Sequence, residues 1–340
     1  MGQRYLYSLS DLVLEVDSAE PKTRDDLDRL LHELSWVRTW NSWDSISKRR
    51  LYLWVTLNSP ECKVPQNCRE VLRADAFGGY KLGDEFYLTD GSSLFHLQPL
   101  HGEGHAHLAA SFFTKPLLAQ ANFWCFGLMK LLRPLGIYSL HAAGLVAPDG
   151  SGVLIVGASG SGKSTITIGL IRAGWRYLAD DAVLLRYGRQ GVEALVCRRS
   201  FYIDAARSSE YADFFLGEET PDANGGRRRR VSIHDAYPEQ YVSRCLPRVL
   251  IFPQITCSQQ STLKRVERIR ALGILLAQSA PQLFDRSTMA GHLELLKNLL
   301  QQTETYELKA GNDLYHQPAK LIHLLREARG DGNCRELSSS

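Results

Sequence analysis

The chain has 340 residues, of which 44% are hydrophobic, enough for a sizeable core and for two domains or one domain with a large extension. Charged residues make up 23% and the formal net charge is +3, an ordinary composition that excludes a long disordered chain and leaves nucleic-acid binding to be judged on local patches. The seven cysteines are scattered, odd in number and without a CxxC pair, which excludes a disulfide framework or a zinc site and fits a reducing cytoplasm.

The opening MGQRYLYSLSDLVLEV lacks the charged head and apolar core of a secretory signal, and Leu6 stands where N-myristoylation requires Ser or Thr. Residues 1 to about 110 read mostly as strands. Arg49–Leu57 is one such run, and Tyr80–Pro99 reads as a meander with turns at Gly83-Asp84 and Asp90-Gly91. A helix is expected over Lys115–Leu132, closed by Pro134 and Gly136. Gln120, Asn122, Lys130 and Arg133 interrupt its apolar character, so it suits a packed core rather than a membrane span.

Ile137–Val146 and Gly152–Val156 are short apolar runs flanking the turn at 148–151, the pattern of two paired, buried strands. A helix over Lys163–Ala173 follows, stopped by Gly174, and then a strand over Asp180–Arg186. Ala223–Arg230 reads as a glycine and arginine loop, and Val249–Phe252 as a buried strand. Spacing predicts helices over Thr262–Ser279, Ser287–Gln302 and Ala319–Arg329, with a strand at Thr305–Lys309 and a disordered polar tail over 330–340. The expected domains are a β-rich region over 1–114, with substrate recognition as a role, and a catalytic domain over 115–329.

Gly157-Ala158-Ser159-Gly160-Ser161-Gly162-Lys163-Ser164 satisfies the G-x-x-x-x-G-K-[ST] pattern between a buried strand and a helix, the context that this phosphate-binding loop requires. Glycines at 157, 160 and 162 allow a tight turn whose amides face phosphate oxygens, aided by the helix dipole. Lys163 supplies a point charge for the β- and γ-phosphates, the Ser164 hydroxyl a magnesium ligand, and Thr165 a contact to the next phosphate. The implied ligands are ATP and Mg2+. A dinucleotide fold is excluded by the absence of a G-x-G-x-x-G with an acid about 20 residues on.

Asp180-Asp181 lies at the start of the expected strand, 17 residues beyond Lys163. One carboxylate could hold magnesium while the other accepts a proton from an attacking hydroxyl, and two acids so close raise the pKa of one.

From His141 to Leu185 the chain resembles the catalytic domain of HPr kinase/phosphorylase. The matching pieces are His141, GVLIVGASGSGKST, IRAGW and LADD followed by AVLL. The resemblance implies an α/β, P-loop-containing fold similar to phosphoenolpyruvate carboxykinase, with a β-rich N-terminal region before it. It also implies phosphoryl transfer from ATP to a serine hydroxyl, with Asp180 as base, Asp181 as the magnesium-side acid, His141 near the acceptor or the bases, and a homo-oligomer. That family carries a glutamate in an R-G-x-G segment, whereas Cys197–Ala206 here reads CRRSFYIDAA. That departure, with an N-terminal part unlike the family's, points away from HPr itself, and the overall plan of a β-rich front region, His-Ala-Ala, loop, Asp-Asp and basic loop resembles the HPr-kinase-related enzymes of biosynthetic clusters, such as lasso-peptide tailoring kinases.

Arg228, within Arg227–Arg230, is a candidate for neutralising the transferring phosphoryl group. The same run lacks interleaved aromatics or any nucleic-acid module, so no nucleic-acid partner is expected, and no membrane partner either. The expected acceptor is a serine of a peptide or protein. A small alcohol is the alternative, and a nucleotide-dependent switch with slow hydrolysis is a third reading.

Overall fold

The structure is a computed structural model that describes residues 3–18, 20, 23–39, 49–58, 63–74, 76–211, 213–221, 226–279 and 286–329. The expected disordered tail over 330–340 lies outside the described residues. The architecture is mixed α/β, and the chain divides into two compact units that exchange segments. The first comprises 1–139, 197–232 and 281–292, and the second 140–196, 233–280 and 293–340.

In the first unit the opening segment gives β1 (Gln3–Leu9), β2 (Leu12–Ser18), α1 (Arg24–Glu33), β3 (Val37–Arg38) and β4 (Arg49–Leu57). The meander follows as β5 (Arg69–Ala74), β6 (Phe77–Leu82), β7 (Glu85–Thr89), β8 (Leu94–Gln98) and β9 (Glu103–Leu108). Together these strands form one nine-stranded sheet in the order β3-β1-β2-β4-β9-β8-β7-β6-β5. Alternation sets its faces: in β4, Leu51, Leu53 and Val55 are buried while Tyr52 and Trp54 on the other face are half-buried.

The helix expected over Lys115–Leu132 is α2 (Leu117–Leu132), and it packs on the sheet through Phe95 of β8. The Phe95 ring stacks on Phe123 at 5.0 Å and meets Trp124 edge-on at 5.3 Å. A Cβ on Gly127 would lie 3.0 Å from Phe95, so the helix approaches the sheet closely there. The helix therefore belongs to the first unit, whose first segment runs to residue 139 rather than ending at 114. Gly136, at φ 73°, ends the turn that follows it.

The chain continues through β10 (Tyr138–Leu140) into β11 (Ala142–Val146), β12 (Gly152–Val156), α3 (Lys163–Arg172), β13 (Arg176–Ala179), β14 (Val183–Gly188) and β15 (Gly191–Val196). It then returns to the first unit as β16 (Ser200–Asp204), β17 (Phe215–Pro221) and β18 (Arg227–Ser232), a separate sheet in the order β16-β18-β17. The arginine run thus forms a strand instead of the expected loop. Cross-strand ladders hold it there, with Arg228 opposite Asp204 and Thr220, while Arg227 and Arg229 both pair with Glu219.

In the second unit α4 (Ile233–Ala236), β19 (Arg244–Cys245), β20 (Pro247–Ile255), β21 (Thr262–Arg265) and α5 (Arg268–Gln278) lead to α6 (Arg286–Gln302), β22 (Glu304–Ala310), α7 (Asn312–His316) and α8 (Lys320–Arg329). Six strands form its main sheet in the order β13-β11-β12-β20-β22-β21. Strands β12, β20 and β22 are parallel, and β11 runs antiparallel between β12 and β13. Every residue of β11 and β12 is buried, as expected for strands covered on both faces.

Two expectations are corrected in this unit. The helix predicted over Thr262–Ser279 begins only at Arg268, because Thr262–Arg265 pairs antiparallel with β22 at the sheet edge and the ladder overrides the local spacing. The strand predicted over Asp180–Arg186 begins only at Val183. Asp180 and Asp181 instead occupy the crossing from β13 to β14, where the chain leaves one sheet for another. Among the described residues no helix is long and apolar enough to cross a membrane.

Candidate nucleotide site

Three segments meet at one edge of the main sheet because of strand direction. Strand β12 ends into Gly157. Its antiparallel neighbour β11 begins beside it, with Ala142 opposite Val156, so His141 stands at the same edge. Strand β13 pairs antiparallel with β11 and ends at Ala179, which brings Asp180 and Asp181 to that edge too. Carboxyl ends of strands in open α/β sheets are where ligands bind.

The loop takes the conformation its glycines permit. Gly160 and Gly162 have φ of 80° and 95°, and a Cβ at Gly157 would lie 2.6 Å from the Ser161 hydroxyl. Ala158, Ser159 and Gly160 are exposed at the crest. Gly162 is the N-cap of α3, and the amides of the first helical turn have no partner within the helix, so they face the site with the positive end of the dipole. The Ser161 hydroxyl is buried and makes no hydrogen bond.

Lys163 is buried, at 6% exposure, and its Nζ donates to the carbonyls of Gly157 at 2.8 Å and Ala158 at 3.1 Å. Burial holds its ammonium below the ordinary lysine range, against the opposing pull of Asp180 and Asp181. A polyphosphate would offer this charge better acceptors than two carbonyls. Thr165 lies in the first turn of α3, half-buried.

The two aspartates have unlike surroundings. The Ser164 hydroxyl donates to Asp180 Oδ2 at 2.7 Å, while the other oxygen, Oδ1, is buried without a hydrogen bond. Burial raises the Asp180 carboxyl to about 6; the Ser164 bond opposes the shift, Asp181 adds to it, and Lys163 and His141 oppose it. The Asp181 side chain is 65% exposed, and its Oδ1 lies 3.2 Å from His141 Nε2. The His141 amide donates to the Gln278 carbonyl at 3.2 Å, which ties the base of the residue to α5.

The structure thus brings together the loop 157–164, Thr165, His141, Asp180 and Asp181 within the second unit. Arg228 falls in the first unit. The feature that sequence reasoning missed is the asymmetry of the acid pair: one carboxylate sits beneath the helix that opens at Lys163, and the other faces outward beside His141. Its signal was the break in the apolar run at 180–182, which marks a crossing between sheets.

An orphaned buried carboxylate oxygen beside the hydroxyl of a phosphate loop is the donor set that a hard cation with few protein ligands uses. Among the described residues, no group of three or more His, Cys, Asp or Glu is arranged to hold a metal on its own, so such a cation would need phosphate oxygens or water for its remaining ligands.

No family model matches the chain. The HPr kinase/phosphorylase of Chlorobium chlorochromatii (strain CaD3) is 44% identical over 69 residues, 20% of this chain and 20% of that protein. That of Chlorobium phaeobacteroides (strain BS1) is 36% identical over 66 residues, 19% of each chain. The chain therefore spans about a fifth of the length of these relatives, and over that stretch it is HPr-kinase-like. The solved structure of the Hpr(Ser) kinase/phosphatase from Coxiella burnetii is 15% identical and aligns over 57% of this chain and 91% of that one. Its TM-score of 0.31 is too low to carry an argument.

Proposed function

We propose that the chain is an ATP- and magnesium-dependent kinase that transfers the γ-phosphoryl group to a hydroxyl, with a serine of a peptide or protein as acceptor. The observation that carries this reading is the acid pair divided between two partners at the mouth of the loop, Asp180 on Ser164 and Asp181 on His141. The name of the two relatives, HPr kinase/phosphorylase, agrees with it.

The contacts favour an exchange of the roles that the resemblance implied for the aspartates. Asp180, buried against Ser164, is the magnesium-side acid. Asp181, exposed and beside His141, is the base that takes the proton of the attacking hydroxyl. Ser164 and Asp180 would hold the magnesium ion, which when bound neutralises charge on the β- and γ-phosphate oxygens. The amides of the loop bind the phosphates, and Lys163 offsets the charge that develops on them. His141, 3.2 Å away, orients Asp181. The exposure of Asp181 leaves it open to an acceptor carried on a large molecule, which is why a peptide or protein is preferred to a metabolite. HPr is not favoured, given the sequence at Cys197–Ala206.

The test is to incubate the purified chain with γ-labelled ATP and magnesium, alongside serine-bearing peptides, HPr-type proteins and small alcohols in parallel. Label on a peptide or protein serine is expected. Label only on small alcohols would overturn the acceptor class, and release of phosphate with no labelled acceptor would favour the hydrolytic switch.

A further inference from the structure

Ile255 is 60% exposed at the end of β20, just beyond the buried run Val249–Pro253. Its surroundings in the second unit give the exposure a direction. Strand β20 runs parallel to β12, with Ile251 opposite Ile155, so its end emerges at the same sheet edge as the phosphate loop. The side chain leans over the last glycine of that loop: a Cβ at Gly162 would lie 3.0 Å from Ile255 Cγ1 and 3.1 Å from Cδ1. Pro253, two residues earlier, backs the first glycine, with its Cδ 3.5 Å from a Cβ at Gly157.

Strand order then assigns the two flanks. Along the sheet the sequence is β13, β11, β12, β20. His141 and the two aspartates stand at the ends of β11 and β13, on one side of the loop, and Ile255 stands on the other. A triphosphate laid across the loop with its terminal phosphorus toward the acids must direct its α-phosphate, and all that is bonded to it, toward β20.

We propose that Ile255 is the apolar seat for the nucleoside of the bound triphosphate and sets the preference for a nucleotide over a bare polyphosphate. This rests on the reading of the loop as a phosphate site. A flat apolar contact recognises a ring by area and not by hydrogen-bond pattern, so discrimination between purine bases at this residue is weak.

The experiment compares the affinities of the full chain for Mg2+ with ATP and for Mg2+ with tripolyphosphate, in the parent, Ile255→Ala and Ile255→Asp. Tripolyphosphate binding is expected to be equal in all three, which also reports that the variants fold with the loop intact. The advantage of ATP over tripolyphosphate should fall ~3-fold in Ile255→Ala and ~10-fold in Ile255→Asp, the range expected for losing part of one apolar contact. An unchanged advantage in both variants would overturn the assignment, as would equal losses for the two ligands, which would make Ile255 a brace of the loop. Failure of the parent to bind tripolyphosphate while binding ATP would overturn the phosphate-site reading itself.

Discussion

At the scale of single residues, Asp180 carries a cost that the site is built to relieve. Its carboxyl titrates near 6 in the folded protein because it is buried, whereas an exposed aspartate titrates near 3.8. Below about pH 4 both folded and unfolded chains are protonated at this residue and stability is unaffected. As pH rises from 4 through 6 the unfolded chain ionises first, so the folded state loses stability, on the order of 3 kcal/mol once pH exceeds the folded pKa. Asp180→Asn removes that term. In thermal unfolding without divalent cations, the variant should equal the parent near pH 4 and be more stable at pH 8. A parent that is the more stable at both pH values would contradict the burial argument. A cation at Asp180 displaces the proton, so magnesium with nucleotide should stabilise the parent more at pH 8 than at pH 5.

On the proposed reading His141, 3.2 Å from Asp181, positions that side chain. His141→Ala should leave the affinity for magnesium and nucleotide unchanged and slow phosphoryl transfer, because Asp181 loses the side chain that orients it, and His141→Gln should restore part of the rate. A transfer rate equal to the parent's in His141→Ala would show that the imidazole only packs there.

At the scale of elements, the acids depend on how closely β11 and β13 approach. Gly144 of β11 stands opposite Ala179, the last residue before Asp180, and a Cβ there would lie 2.7 Å from Leu178 Cδ2. Leu178 is fully buried, so any shift of its side chain must be taken up by the surrounding core. Gly144→Val should therefore cost about 1–3 kcal/mol in a denaturant titration and weaken nucleotide binding by displacing β13. An unchanged midpoint would mean that the two strands have slack. The elements that meet at this edge were legible because local signals coincided: an apolar strand, the glycine and lysine pattern, a helix closed by glycine, then two acids. The edge strand Thr262–Arg265 was not legible. Its ladder to β22 pairs residues more than 40 positions apart, and no local periodicity records such a partner.

At the scale of the whole molecule, the meander and α2 followed from turn residues and apolar spacing, but the division of the chain did not. Segment 197–232 returns to the first unit, held by contacts such as Ser200 Oγ to Glu33 at 3.0 Å, between residues 167 positions apart. Arg230 joins the same carboxylate at 3.1 Å. A run of four arginines therefore read as a loop, when its backbone joins strand ladders and Arg227, Arg229 and Arg230 form ion pairs that only the folded unit supplies. The loop with its divided aspartates remains the part of the chain whose chemistry is most fully specified, and it yields a decisive comparison. Transfer of label from γ-labelled ATP, measured beside magnesium–nucleotide affinity, should separate the two acids. Asp181→Asn should bind as the parent does and transfer roughly 10²–10⁴-fold more slowly, while Asp180→Asn should lose the magnesium dependence of binding. An Asp181→Asn protein transferring at the parental rate would contradict the assignment.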